Sequence, residues 1–303
     1  MKKFNLTAIH GIALMLGTVV TLSSCSEEVM NPENETAYAP VCVQVNEFSV
    51  SMTDFPTTRA VESASSYAYV KAITLALYDS QGTEVYNTTQ LKDDASTYTT
   101  FGQFSFSLPI GNYTLVAIGR NHFSTDVFTL TSPTEAAYTS TLPRETFCAT
   151  QSVTISGTTP LNLSITLDRI STMLIVKSTD LCPVGAAKLR TTYAEASKSF
   201  NPTTGLATDD DGFTALNNLS SAVGNNTNIG LYAFLSTDEQ SMDITLEVLD
   251  ASDNVLCTKS ISDVPFKRNR ATKLEGQLFT PSSASSATFS FETDWLQDLT
   301  VTF

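Results

Sequence analysis

Histidine, tryptophan and basic residues are scarce in this chain. Two His, one Trp and 17 Lys plus Arg stand against 31 Asp plus Glu in 303 residues. Each scarcity closes off a class of function. A zinc site built from imidazoles needs several His, and because His10 falls in the leader described below, a Ser-His-Asp or Cys-His relay would have to use His122. A formal charge of −14 repels a polyanion, so nucleic acid is not expected as a partner. The one basic cluster, Lys267-Arg268-Asn269-Arg270, is short, has acidic neighbours at Asp263 and Glu275, and reads as a solvated loop. A glycine-rich phosphate loop, a nucleophile elbow and a Cys-x-x-Cys pair are all missing. No enzyme, metal or cofactor is expected.

Long apolar runs are also missing, with one exception. Lys2 and Lys3 precede an apolar stretch from Ile9 to Leu22, the layout of a secretory signal peptide. The stretch is shorter than the roughly 20 residues of a membrane span, and it ends in Leu22-Ser23-Ser24-Cys25. That ending resembles the lipobox of bacterial lipoproteins, which are cut just before a Cys carrying a diacylglyceryl group. Residues 1–24 are therefore expected to be removed, with Cys25 the lipidated first residue. Removal takes two of the 17 basic residues and none of the 31 acidic ones, leaving 15 minus 31, or −16. Residues 25–40, polar and acidic with Asn31-Pro32-Glu33-Asn34-Glu35, read as a flexible tether.

Cys42, Cys148, Cys182 and Cys257 remain. Their number permits two disulfides in an oxidising compartment, but their spacing defines no framework. Apolar neighbours such as Val41-Cys42-Val43 favour buried free thiols.

What is abundant is strand-like alternation. Val41, Val43 and Val45 would line one face of a first strand, interrupted by Phe55-Pro56-Thr57-Thr58-Arg59-Ala60. Residues 70–78 form a strand, 79–82 a turn and 83–86 a return. Phe104, Phe106 and Leu108 alternate with Gln103, Ser105 and Ser107, and Pro109-Ile110-Gly111-Asn112 reads as a hairpin turn into a returning strand over 113–118. Further strands fall at 126–130, 151–156 and 161–167, and a second series runs over 171–177, 229–235, 242–249, 254–261 and 271–279, with final segments at 288–291 and 299–303. Residues 181–228 look loop-rich, and only 134–139 and 214–223 invite a short helix. The chain is thus expected to be all-β. Its length, about 280 residues after processing, suggests two domains, 41–167 and 168–303, divided near Asp168-Arg169.

Other polar groupings carry little chemistry. His122, in Gly119-Arg120-Asn121-His122, reads as an exposed loop histidine. Asp209-Asp210-Asp211-Gly212 lacks the alternate spacing and closing Glu of a hand-type calcium loop. Asp93-Asp94 and Asp238-Glu239 are adjacent carboxylates, which point apart on an extended chain.

In order, the lipobox, Thr57-Thr58-Arg59-Ala60, the strand Tyr69 to Asp79, the stretch Leu108 to Ala117, the opening Asp168-Arg169-Ile170-Ser171-Thr172-Met173 and the late Asn269-Arg270-Ala271-Thr272-Lys273-Leu274-Glu275-Gly276 resemble the fimbrillin superfamily of Bacteroidales. The resemblance spans nearly the whole mature chain. It implies two tandem transthyretin-like β-sandwiches, a lipid-anchored, surface-exposed place on the cell outer membrane, and assembly with other fimbrial subunits by strand complementation. In that scheme an Arg-specific protease cuts after Arg59, before Ala60, and removes the strand bearing Val41, Val43 and Val45, so that another subunit's strand fills the groove. Stalk, anchor and tip subunits share this outline; the Leu-Pro-x-Gly-x-Tyr pattern is closer to the anchor branch, and Arg59 points the other way. A different class stays open: a surface lipoprotein binding glycans or host proteins through sandwich loops, with Trp295, Tyr98 or Tyr193 as exposed rings.

Overall fold

The structure, a computed structural model, describes residues 36–50, 61–280 and 299–302. It is all-β. The first ten strands are β1 (Tyr38–Ser49), β2 (Val61–Ser63), β3 (Ala72–Asp79), β4 (Glu84–Leu91), β5 (Gln103–Pro109), β6 (Gly111–Arg120), β7 (Phe128–Ser132), β8 (Glu135–Tyr138), β9 (Thr146–Ile155) and β10 (Leu161–Arg169). Then come β11 (Thr172–Ser178), β12 (Lys188–Tyr193), β13 (Ser199–Asn201), β14 (Leu206–Ala207), β15 (Phe213–Asn218), β16 (Asn228–Ala233), β17 (Glu239–Leu249), β18 (Val255–Lys267), β19 (Ala271–Gly276) and β20 (Leu299–Thr302).

Pairing sorts most of β1 to β10 into two layers. In the first, β10 lies parallel to β1 from Val41↔Leu161 to Ser49↔Asp168, while the other edge of β1 pairs antiparallel with β5 over residues 38–44 and with β2 over 47–49. The second layer runs β4-β3-β6-β9, antiparallel throughout. The two join where Asp168 and Arg169 pair with Cys148 and Phe147. Between them lies a core that includes Val43, Val45, Phe48, Leu75, Leu115 and Leu167.

The second layer is covered on its back too. Tyr78 and Ile118 pack there with Tyr138, Ile170, Phe200 and Phe234, the second of these cores being shared with the small sheet β14-β13-β8-β7. Burial on both faces accounts for the run in β3, apolar but for Thr74, where seven successive residues from Ala72 to Tyr78 are buried. The remaining strands form two sheets, β16-β11-β19-β20 and β15-β12-β17-β18, around a third core with Leu174, Val176, Leu189, Tyr193, Ile244 and Leu246.

Three local expectations are corrected. The alternation in β5 is present, but β5 and β6 do not form a hairpin: β5 pairs with β1, and β6 with β3 and β9. A single residue, Ile110, separates them, and the chain there switches layers; the Tyr113 hydroxyl donates to the Pro109 carbonyl at 2.9 Å and the Ile110 N–H to the Ala37 carbonyl at 3.1 Å. The two short helices are also absent. Residues 135–138 and 213–218 are strands, because segments this short cannot bear the cost of helix nucleation while Ala136, Tyr138 and Ala215 find buried places on sheets. Finally, the loop-rich region holds β12 to β15; in β12 the inward positions are Leu189, Thr191 and Tyr193, and the central threonine hides the alternation.

Candidate strand-exchange site

β1 is a central strand made from the beginning of the described chain. Ala39, Val41, Val43, Val45 and Phe48 point inward and are buried, none more than 2% exposed, whereas Tyr38, Pro40 and Asn46 face out. At roughly 1.5–3 kcal/mol per large apolar side chain, the three valines and Phe48 contribute on the order of 8 kcal/mol. That is comparable with the whole stability of a typical domain, about 5–15 kcal/mol. Backbone hydrogen bonding runs along both edges, so β1 fills a slot rather than lying on a surface.

The slot is shaped by groups that alternation alone does not reveal. Gly102, with φ +88°, passes the Val45 carbonyl so closely that a Cβ there would lie 2.8 Å from the oxygen, and its own carbonyl accepts from the Val45 N–H at 2.9 Å. Gln90, on β4, reaches across the open side of the sandwich. Its Oε1 accepts from the Gly102 N–H at 2.8 Å, and its Nε2 donates to the Gln103 carbonyl at 2.7 Å. One side-chain amide thereby ties the edge of one layer to the edge of the other. Beside it Tyr86 stacks on Phe106, ring centroids 4.0 Å apart.

The far end of β1 is held by a partly buried ionic cluster. Arg169, the last residue of β10, pairs with Glu145 at 2.7 Å and donates to the Val50 carbonyl at 2.7 Å, to Asn269 Oδ1 at 2.9 Å and to the Tyr67 hydroxyl at 3.1 Å. The Tyr67 hydroxyl in turn donates to Glu145 at 2.7 Å. Burial, followed by the Glu145 carboxylate, pushes the Tyr67 hydroxyl far above the ordinary tyrosine range, so it stays a proton donor. The guanidinium also lies over the Phe147 ring, 5.0 Å from its centroid. The cluster was not legible in sequence: Arg169 figured as a domain boundary and in one stretch of the family resemblance, Asn269 in another, and Tyr67 and Glu145 in neither.

Cys25, Arg59, Ala60 and Trp295 lie outside the described residues. Val41, Val43 and Val45 share the inward face of β1. Cys42, Cys148, Cys182 and Cys257 are free; Cys42 is half-buried and the others buried. Burial holds the Cys148 thiol well above its usual range. His122 is half-buried rather than exposed, with Nδ1 3.1 Å from an Arg120 nitrogen, and burial together with that cation lowers its pKa. Tyr193 is not a surface ring, being 1% exposed inside the third core, stacked on Phe213. Lys267 and Arg268 are paired with Glu239 and Asp238, and Asn269 is buried at φ +59°, so the basic cluster is a structured turn. Among the described residues no group of three or more His, Cys, Asp or Glu is arranged to hold a metal ion, and no helix is long and apolar enough to cross a membrane.

The fold and the slot define an all-β protein whose first described strand completes a sheet from within. The chain belongs to a family of unknown function, DUF6562, which matches residues 41–302. No curated protein matches it. Among solved structures it is similar to a candidate adhesin from Bacteroides ovatus, with 11% identity over 74% of this chain and 78% of that one and a TM-score of 0.49. It is also similar to the fimbrial anchor protein Mfa2 from Porphyromonas gingivalis (12% identity, 75% and 83% covered, TM-score 0.45). A third is the tip fimbrial protein Mfa3 from the same organism (11% identity, 78% and 94% covered, TM-score 0.37).

Proposed function

We propose that this protein is a non-enzymatic fimbrial subunit of the anchor or accessory kind, tethered to the outer membrane through a lipid on Cys25 and joined to other subunits by β-strand exchange. The observation that carries this reading is the place of β1: a strand at the start of the described chain, paired on both edges, with five inward side chains. Withdrawing it would bare two strand edges and an apolar trough, and an incoming strand restores both main-chain pairing and burial. Arg59 falls between the end of β1 at Ser49 and the start of β2 at Val61, so a cut after Arg59 separates β1 from the rest of the chain.

N-terminal sequencing and mass analysis of protein recovered from cells tests the processing: an anchor begins at lipidated Cys25, a processed stalk or tip subunit at Ala60. Cys25→Ala is expected to abolish fatty-acid labelling and release the chain from membranes. For a stalk or tip subunit, limited cleavage after Arg59 should promote association with a donor strand and Arg59→Ala should block it; for an anchor, the uncut form should be the one found at the fibre base. A cut chain that stays a stable monomer with no affinity for any pilus subunit or strand peptide would refute the exchange mechanism.

One observation favours the surface-binding alternative. A cleft of about 260 Å³ runs along the open side of the sandwich, lined only by uncharged residues, among them Tyr86, Thr88, Tyr98, Thr100 and Gln103. Glycan binding by a monomer that never associates with pili would select that reading.

A further inference from the structure

The slot has a mould as well as two edges. Regular alternation along β1 places Ala39, Val41, Val43 and Val45 inward and would turn residue 47 inward next. Instead Phe48 is the next buried side chain, 0% exposed. The change of parity comes from an extra residue, since Val45 pairs with Ile165 and Glu47 with Thr166, leaving Asn46 unpaired. The acceptor side holds that bulge: the Ala64 N–H donates to the Asn46 carbonyl at 2.8 Å, the Gly102 carbonyl takes the Val45 N–H, and Asn46 Nδ2 donates to Ser164 Oγ at 2.6 Å.

Beyond the bulge the walls are cut for a ring. Phe48 packs against Phe147 and Tyr67, with ring centroids 5.1 and 5.8 Å apart. Its Cε1 occupies the space over Gly119, where an added Cβ would come within 2.7 Å of it and within 3.2 Å of Leu167. Gly119 has an ordinary backbone φ, so what excludes a side chain there is the ring itself. Two residues further on, Arg169 donates to the Val50 carbonyl.

We propose that the slot is selective for sequence: the strand that replaces β1 runs parallel to β10, carries side chains no larger than valine at four alternate inward positions, and after one bulged residue presents an aromatic ring to the pocket of Gly119, Tyr67, Phe147 and Leu167. This rests on the strand-exchange reading and adds to it the kind of partner the slot accepts. Main-chain pairing fits any extended segment; the notch at Gly119 and the fixed bulge supply the discrimination.

The test uses the full chain, cut between β1 and β2 by limited cleavage after Arg59, and labelled peptides that compete with β1 for the slot. A peptide of residues 38–50 is expected to bind. Phe48→Ala in that peptide should weaken binding about a hundredfold, as for loss of a buried ring, and a peptide lacking Asn46 should fare no better. On a Gly119→Ala chain the preference for Phe at this position should disappear. Should the 38–50, Phe48→Ala and Asn46-deleted peptides bind within about twofold of one another, the slot reads only main chain and the selectivity is wrong while exchange stands. If the 38–50 peptide itself fails to bind the cut chain, strand exchange fails, and the selectivity falls with it. The peptide comparisons remain decisive even if Gly119→Ala does not fold.

Discussion

Gln90 shows how one residue can replace a stretch of sheet. Gln90 is 4% exposed, and its side-chain oxygen accepts from the buried Gly102 N–H at 2.8 Å. Gln90→Ala strands that buried donor and is expected to cost about 1–3 kcal/mol in urea unfolding, whereas Thr88→Ala on the exposed part of the same strand should fall within about 0.5 kcal/mol of the parent. His122 gives a pH signature. Its folded pKa lies below the unfolded value through burial and the neighbouring Arg120, so the unfolded chain binds the proton more readily. The stability contributed by the neutral ring is therefore present above the unfolded pKa, about 6.5, and lost as pH falls toward the lower folded value. Thermal unfolding between pH 7.5 and 5.5 should show a steeper loss for the parent than for His122→Gln; equal slopes would remove His122 from the account.

Among elements, β1 is the one on which most depends. Val43→Asp would place a carboxylate at a position with no exposure, among the apolar side chains of the first core, and burying an unpaired charge is among the few changes that exceed about 4 kcal/mol. The variant is expected to lose cooperative unfolding in circular dichroism at room temperature. Thr88→Asp, on the exposed side of β4, should keep its cooperative transition. The same strand shows where sequence reading reaches and where it stops. The valine alternation exposed the inward face because period two is set by the chain's own geometry. Pairing partners were not legible: Phe104, Phe106 and Leu108 mark a face of β5, but nothing local says that the face lies against β1 rather than against β6. Long-range contacts such as Arg169 with Glu145 and Asn269 join residues that have no pattern between them. Tyr193 was misread for the related reason that its polar neighbours Thr191 and Thr192 disguise a buried strand.

For the molecule as a whole, cores differ in what they draw on. One takes its buried members from residues 39–167 and one from 174–279, while the core behind β3 and β6 combines residues from both spans, including Ile118 and Phe234. Thiol accessibility gives a readout on two of them. Cys148 is buried in the shared core, Cys182 and Cys257 are both buried in the core of residues 174–279, and Cys42, on β1, is half-exposed. Brief treatment of the native protein with a maleimide reagent should modify Cys42, among these four, and leave the others until denaturant is added. Early labelling of Cys148 would show that the shared core opens on its own.

The parallel pairing of β1 with β10 also sets an order of events in time. Val41 meets Leu161 across 161 minus 41, or 120, positions of chain, whereas β3 and β4 are joined by a turn of four residues between Asp79 and Glu84. Loop closure over the longer span is the slower search, and contacts of high sequence separation form late. The first described strand must therefore wait until the residues up to β10 have followed it, and during that wait the trough it will occupy stays open to another strand. Pulse-labelled hydrogen exchange during refolding should find the amides of β3, β4 and β6 protected before those of β1. Simultaneous protection of all four would mean that the first strand has no waiting period.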